Sequence, residues 1–181
     1  SGNLGRAVAV AFANDNVVLL DVRAPATRQR FIQTDLLDAK SVQSAIDQVG
    51  RVDVLCNLAG GFRMGSPVHE TSDKDWDFLF NLNPRTVLNT AKAVVPAMIK
   101  AGGGKIVNVG AFAAHKGAAQ MGAYIASKSA VIRLTETMAV ELREHNINVN
   151  CVLPTIIDTP ENRKAMPEAD PQRWVAAQEL V

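Results

Sequence analysis

Residues 105–109, KIVNV, form a short apolar run that predicts a buried β-strand. A loop of small residues follows, and after Tyr124 to Lys128 the apolar residues from Ser129 to Arg143 recur at helical spacing. Residues 147–153, INVNCVL, then predict a second buried strand. Two parallel strands need a long crossover, which is usually a helix. This strand–helix–strand order therefore predicts a parallel α/β sheet.

The same alternation runs through the rest of the chain. Further strands are predicted at 17–21, 31–35 and 52–57, and further helices at 38–49 and 71–100. The whole of residues 1–181 is thus predicted to be a single domain. Its fold class is α/β, a doubly wound parallel sheet of the Rossmann type with three α/β/α layers.

Some expected pieces of this fold have no counterpart in the sequence. No strand precedes the glycines at the start, residues 23–30 show no helical pattern, and residues 174–181 begin a helix that is not finished. A polar, proline-rich loop is predicted over residues 155–171. We therefore expect that the domain lacks its first strand, part of its second crossover and its C-terminal strand.

The composition excludes several classes of function. A chain that is 48% hydrophobic and 20% charged forms one folded domain, and a net charge of +1 without a basic block argues against nucleic acid as a partner. No apolar run reaches the roughly 18 residues of a membrane span. Cys56 and Cys151 lie in apolar runs, which favours reduced thiols and a cytoplasmic location. The histidines lack ligand spacing, so no metal site is expected.

Tyr124 and Lys128 form the most informative pair of side chains. They are four residues apart at the start of a predicted helix, so they project from one face. A nearby cation lowers the pKa of a tyrosine, which would make the phenol a usable proton donor or acceptor. The alternative is a helix that happens to carry one aromatic residue and one exposed lysine.

Gly2 and Gly5 open the first predicted helix, and a helix N-terminus attracts phosphate. Asp21 ends the following strand, where a carboxylate accepts hydrogen bonds from an adenosine ribose and repels a 2′-phosphate. This predicts NAD in preference to NADP. Arg23 weakens the prediction because it can pair with that phosphate, and a solvated acid at a strand end is the alternative.

Two further features point to the same edge of the sheet. Small residues at 58–61 follow a strand, which allows a ligand to lie against the backbone. Asn81 comes shortly before Pro84, which breaks the helix predicted over 71–100. The break either orients Asn81 towards the site or is an ordinary kink.

With these residues in place, the chain resembles the short-chain dehydrogenase/reductase family over its whole length. The matching motifs are the glycine turn that ends at Gly5, Asp21, Asp35, the turn 57–60, Asn81, Tyr124 with Lys128, and Pro154 leading to Thr159.

The resemblance implies hydride transfer between a nicotinamide cofactor and a small-molecule substrate. The implied cofactor is NAD, with NADP as the alternative. It implies three catalytic residues: Tyr124 passes the proton, Lys128 holds the nicotinamide ribose, and Asn81 supports a water chain. The implied cofactor contacts are Gly2, Leu4, Gly5, Asp21, Asp35, Leu36, Ala59, Gly60, Gly61, Tyr124, Lys128, Pro154 and Thr159. The implied substrate contacts are Phe62, Ala111 and Tyr124.

One departure from the family narrows the substrate. A serine normally lies 13 residues before the tyrosine, and here that position is Ala111. A hydroxyl there stabilises charge that develops on a carbonyl oxygen. A quinonoid dihydropterin takes hydride into a conjugated ring and needs this help less. The subgroup that resembles dihydropteridine reductase also has alanine at this position, and residues 152–174 are similar to it.

Three functions follow as alternatives. The first is a dihydropteridine-reductase-like enzyme, the second a general alcohol or ketone reductase without the serine, and the third a low-turnover nucleotide-binding sensor or scaffold. Family resemblance also implies a homodimer or homotetramer. Its interface would use apolar helix positions that could equally pack on the chain's own sheet, namely Ala91, Val94, Ala130 and Leu134.

Overall fold

The computed structural model describes residues 2–181, so Ser1, the first residue of the predicted glycine turn, lies outside the described residues. The helices are α1 (Asn3–Ala11), α2 (Ala39–Val49), α3 (Asp73–Phe80), α4 (Thr86–Ala101), α5 (Gly122–Glu141) and α6 (Pro160–Ala165). The strands are β1 (Val18–Asp21), β2 (Arg30–Gln33), β3 (Val54–Asn57), β4 (Gly104–Val109), β5 (Ile147–Val152), β6 (Ile157–Asp158) and β7 (Val175–Ala176). Short 3₁₀ helices occupy Val68–Glu70, Phe112–His115, Arg143–His145, Pro171–Arg173 and Ala177–Leu180.

Every strand pair found within residues 2–181 is parallel, as the alternation predicts. The pairs form three sheets, β1–β2, β3–β4–β5 and β6–β7. In the central sheet Asn57 lies opposite Asn108, and Asn108 lies opposite Cys151. In the described part of the chain β1 and β3 are not paired with each other, so the predicted strands do not join into one continuous sheet.

One apolar core holds these pieces together. Its fully buried centre comes from α2, α4 and the central sheet: Val42, Val94, Met98, Ile106 and Ile147. Leu20 of β1 packs against the same cluster, so side-chain packing connects the β1–β2 sheet to the rest. Ala91 and Val94 are both buried within the chain, which favours packing on its own sheet for these two positions. None of the helices in residues 2–181 is long and apolar enough to cross a membrane.

The helix predicted over 71–100 is interrupted. α3 ends at Phe80, Asn81–Arg85 form a π-helical turn, and α4 begins at Thr86. Pro84 lies in the wide turn, where its missing N–H and its ring are accommodated. Pro96 lies inside α4 without ending it.

The C-terminal prediction was wrong. The segment predicted as a loop contains β6 and α6, and the predicted helix at 174–181 is instead β7 followed by a 3₁₀ helix. The Val175 N–H donates to the carbonyl of Ile156 at 2.9 Å, beside the short β6–β7 pairing. Such a pairing between distant residues leaves no local periodicity in the sequence.

Candidate active site

The side chain of Lys128 reaches the carboxyl ends of β3 and β4. It is 6% exposed, and its Nζ donates to the carbonyl of Val109 at 2.8 Å. A Cβ atom at Gly60 would lie 3.1 Å from Lys128 Nζ and 3.1 Å from Asn83 Oδ1. Glycine therefore allows the turn after β3 to pass close to both groups. The turn after β3, the end of β4 and helix α5 meet around this ammonium.

Tyr124 lies one helical turn before Lys128 and contacts Phe62. The two ring centroids are 4.8 Å apart and the planes are at 88°, an edge-to-face contact. Phe62 follows Gly61 in the turn after β3. The structure thus brings together the predicted catalytic pair and one of the predicted substrate contacts.

The charge relation between Tyr124 and Lys128 differs from the prediction. Burial raises the pKa of Tyr124, so the prediction that Lys128 lowers it is wrong. The physical reason is that the phenol is removed from solvent, which disfavours the charged phenolate. The phenol is therefore protonated at neutral pH, which suits proton donation.

Burial also acts on Lys128. It lowers the pKa of the ammonium to about 8, and the nearby Cys151 thiol, when ionised, works against this shift. Because the ordinary pKa of this lysine is 10.5, the folded chain holds the proton less tightly than the unfolded chain. The free energy of unfolding is therefore higher above about pH 10.5, where Lys128 is neutral in both states, and this gain is lost as the pH falls through about 8.

We expect the free energy of unfolding to rise with pH between about 8 and 10.5, at a slope of up to about 1.4 kcal/mol per pH unit more than in Lys128→Met. Urea unfolding at several pH values measures this difference. Lys92→Met, at an exposed position of α4, serves as the control and should retain the wild-type slope. Equal slopes for the wild type and Lys128→Met would contradict the buried ammonium.

Asn81 does not lie at this site. It is exposed, whereas Asn83 is 1% exposed and lies beside Gly60. The buried face of α3 includes Leu79, and a residue four positions later falls on the same face. Asn81, two positions after Leu79, falls on the opposite face. That spacing is the signal in the sequence that would have indicated Asn83.

The side chain of Asn83 joins the turn after β3 to helix α5. Its Oδ1 accepts the N–H of Gly61 at 2.9 Å, and its Nδ2 donates to the Gly61 carbonyl at 3.1 Å and to Ser127 Oγ at 2.9 Å. Ser127 is fully buried and donates to the carbonyl of Tyr124 at 2.8 Å. Because that hydroxyl is engaged inside the protein, it does not replace the missing serine. Asn83 was not among the predicted site residues.

Ala111 begins the loop that follows β4. It is 5% exposed and precedes Phe112, whose N–H donates to the carbonyl of Pro154 at 2.9 Å. The N–H of Gly110 donates to the carbonyl of Val152 at 2.9 Å. These bonds fix Ala111 against the carboxyl end of β5, and its methyl group offers no hydrogen bond.

The predicted phosphate turn is at the start of α1. Gly2 is the N-cap residue, and the first backbone bond runs from the N–H of Arg6 to the Gly2 carbonyl at 3.1 Å. The backbone N–H groups that precede Arg6, including those of Leu4 and Gly5, are at the helix N-terminus, where anions bind. A Cβ atom at Gly2 or Gly5 would meet nothing within 4 Å, so packing of the chain does not require glycine here.

Asp21 ends β1, and one carboxylate oxygen accepts the backbone N–H of Arg23 at 3.1 Å. Asp35 is exposed and accepts the N–H of Leu37 at 2.9 Å. The carbonyl of Leu36 accepts from Asn89 Nδ2 of α4 at 2.9 Å. These residues lie at or just after the carboxyl ends of β1 and β2.

The remaining predicted cofactor residues lie in the turn after β3, in the turn after β5 and directly after β6. Ala59 and Pro154 are at least partly buried. Thr159 caps α6, since its hydroxyl accepts the N–H of Asn162 at 3.1 Å. Among the described residues, no group of three or more His, Cys, Asp or Glu is placed to hold a metal ion.

Comparison with known proteins decides the family. The model of the short chain dehydrogenase family matches residues 3–170. The chain belongs to the short-chain dehydrogenase family. It is 33% identical to dehydrogenase/reductase SDR family member 6 of Aquarana catesbeiana over 178 residues, covering 93% of this chain and 72% of that one. It is 34% identical to 2-dehydro-3-deoxy-D-gluconate 5-dehydrogenase of Dickeya dadantii over 181 residues, covering 92% and 71%.

Solved structures agree with this assignment. A gluconate 5-dehydrogenase from Burkholderia cenocepacia in complex with NADP and tartrate has a TM-score of 0.90 at 26% identity, covering 99% of this chain and 81% of that one. An NAD⁺-bound xylitol dehydrogenase has a TM-score of 0.88 at 27% identity, covering 99% and 85%. The Rossmann-like α/β fold is confirmed, and this short-chain dehydrogenase is an NAD(P)-dependent oxidoreductase.

The residues of this short-chain dehydrogenase fit such a cofactor. Gly60 leaves a space that a Cβ would fill beside Lys128, and the N-terminus of α1 offers N–H groups to a phosphate. The finer likeness to dihydropteridine reductase is not supported by these relatives, which are named for sugar-acid or polyol dehydrogenation or for the family itself.

Proposed function

We propose that Tyr124 and Lys128 carry out the proton transfer and ribose binding of an NAD(P)-dependent hydride transfer. The observation that carries the proposal is the meeting of Tyr124, Lys128 and Gly60 at the carboxyl ends of β3 and β4. Ligands of open α/β sheets bind at this edge. When bound, the nicotinamide supplies or accepts the hydride.

Each residue of the site has a distinct part in the proposal. Lys128, held by Val109, presents its ammonium to the ribose hydroxyls. Tyr124 donates a proton to the substrate atom that gains electron density in reduction, and takes one from the alcohol in oxidation. Its raised pKa favours the donating direction at neutral pH. Asn83, and not Asn81, holds the turn that borders the cofactor.

The other cofactor contacts belong to the same proposal. The first turn of α1 (Gly2, Leu4 and Gly5) binds the pyrophosphate, Asp21 binds the adenosine ribose, and Asp35 with Leu36 borders the adenine. The turn Ala59, Gly60 and Gly61 borders the ribose on the nicotinamide side. Pro154 and Thr159 bind the carboxamide. The Thr159 hydroxyl at the same time accepts the N–H of Asn162 as the cap of α6.

Two substrate classes are candidates. The first is a secondary alcohol or ketone of a polyhydroxylated molecule, and it is supported by the sugar-acid and polyol dehydrogenases among the relatives. The second is a conjugated cyclic acceptor such as a quinonoid dihydropterin, and it is supported by Ala111, which offers no hydroxyl to a carbonyl oxygen. Phe62 and Ala111 would line the substrate side in both cases.

A substrate panel tests the proposal. Nicotinamide absorbance is followed with sugar acids and polyols in the oxidising direction, and with small ketones and quinonoid dihydropterin in the reducing direction. Turnover in either class supports hydride transfer and selects the substrate class. Tight NADH binding without turnover of any substrate would instead favour a nucleotide-binding sensor or scaffold.

We expect NADH to bind more tightly than NADPH, because the Asp21 carboxylate repels a 2′-phosphate. Asp21→Ser keeps an acceptor for the N–H of Arg23 and removes the charge, so it should lower the NADH preference about 10–100-fold. Equilibrium titration with both cofactors measures this change, with exposed Asp47→Ser as the control. Tighter binding of NADPH to the wild type would show that Arg23 is the better guide.

A homodimer or homotetramer in the cytoplasm is also part of this proposal. Of the helix positions considered for an interface, Ala130 and Leu134 of α5 are only partly buried. Val140, on the same helix, is 71% exposed. α5 therefore offers more apolar surface to a partner than the buried positions of α4 do.

A further inference from the structure

Five residues form a closed ring of contacts around the phenol of the candidate site. The Tyr124 ring contacts Phe62, which is bonded to Gly61 in the chain. Gly61 makes two backbone hydrogen bonds with the Asn83 amide. Asn83 donates to Ser127, and Ser127 donates to the carbonyl of Tyr124. Each member of the ring is thus held by its two neighbours.

Ser127 is the link that closes the ring. Ser127 is 0% exposed. Its hydroxyl donates its single proton to the backbone carbonyl of Tyr124 at 2.8 Å and accepts a hydrogen bond from Asn83 Nδ2 at 2.9 Å. Asn83 is 1% exposed, so water does not readily replace a lost partner. A buried N–H without a partner is unfavourable, and the turn after β3 or the start of α5 would have to shift to satisfy it.

α5 carries a second hydroxyl with the same pattern of bonds. Thr135 is 3% exposed, donates to the carbonyl of Val131 at 2.7 Å and accepts Asn108 Nδ2 at 2.9 Å. Both hydroxyls therefore pair a carbonyl of their own helix with a buried asparagine. Only the bonds of Ser127 close on a ring that includes Tyr124.

We propose that Ser127 is a positioning residue that holds Tyr124 against Phe62 by way of Asn83. The inference rests on the proposed function, because it assigns Ser127 to the placement of the proton donor. Ala111 makes this placement more important. At that position of the β4–α5 loop there is no hydroxyl to orient the phenol, so its position depends on the ring of contacts.

The first test needs neither cofactor nor substrate. Tyr124 is the single tyrosine of the chain, so the ultraviolet absorbance of the phenolate reports its titration alone. Burial raises the pKa of Tyr124. Ser127→Ala should let solvent reach the Tyr124 phenol and so lower the titration midpoint of that phenol. The variant keeps Lys128, so the cation one helical turn from the phenol is unchanged. Thr135→Val should leave the midpoint at the wild-type value.

A second variant guards against poor folding of Ser127→Ala. Ser127→Cys keeps a side chain of similar size but replaces the hydroxyl by a weak donor and acceptor, so a smaller shift in the same direction is expected. A midpoint unchanged in both Ser127 variants, or a shift equally large in Thr135→Val, would overturn the inference. A purely structural hydroxyl would behave as Thr135 does.

Kinetics provides the second readout. With a substrate that the wild type turns over, Ser127→Ala should lower kcat about tenfold or more, because misplacement of a proton donor acts on the chemical step. The KM for the nicotinamide cofactor should stay unchanged. A change in KM alone would overturn the positioning role. If the wild type transfers no hydride to any substrate, the proposed function fails, and the titration still decides whether Ser127 holds Tyr124.

Discussion

Tyr124→Phe is expected to lower kcat for hydride transfer by about 10²–10⁴-fold, because it removes the hydroxyl that is proposed to move the proton. The ring is retained, so its edge-to-face contact with Phe62 at 4.8 Å stays in place. The loss is therefore expected in the chemical step and not in folding. Steady-state rates with the substrate selected by the panel measure it.

The control for this variant is its own cofactor affinity. Titration of Tyr124→Phe with NADH should give a Kd close to that of the wild type, because Lys128 and the α1 turn are untouched. Thermal unfolding should likewise be close to wild type. Turnover within about threefold of the wild type would show that another group transfers the proton, and the assignment of Tyr124 would then be withdrawn.

Ala111→Ser is expected to raise kcat for ketones and secondary alcohols by about 10²–10³-fold, the effect of one well-placed hydrogen-bond donor to a developing oxyanion. Ala111 has an extended backbone (φ −157°, ψ 141°), which serine adopts without strain. The rate with a quinonoid dihydropterin should not rise in the same way, because its electron density spreads over a conjugated ring. The variant thus separates the two candidate substrate classes.

Ala113→Ser is a matched control, since it places the same hydroxyl two residues further along the loop, in the 3₁₀ helix Phe112–His115. It should leave both rates unchanged. If Ala111→Ser brings no gain with any carbonyl substrate, a carbonyl oxygen does not bind beside position 111. The pterin-like acceptors would then be the better candidates.

Local patterns were sufficient for the elements that carry the site. The apolar runs of β3, β4 and β5 and the helical spacing of α5 predicted these elements, and α5 places Tyr124 and Lys128 one turn apart. Sequence spacing was enough to place Tyr124 and Lys128 on one face, because residues i and i+4 share a helix face in any context.

Features that depend on tertiary packing were missed. The spacing from Leu79 indicates that Asn83 is buried, but the bonds of its amide to Gly61 and Ser127 depend on tertiary packing. The raised pKa of Tyr124 reflects burial of the phenol, which sequence spacing alone does not reveal. β6 and β7 form because Ile157 pairs with Val175, across a segment that contains α6.

The separation of β1–β2 from the central sheet has a consequence for stability. Where residues 2–181 are described, these sheets share no backbone pairing, and Leu20 joins them through side-chain packing. Asp21 and Asp35 lie at the ends of β1 and β2, whereas Tyr124 and Lys128 pack against the central sheet. The two halves of the proposed cofactor site can therefore open with different local free energies. A dinucleotide that spans both halves would couple their opening into one cooperative event.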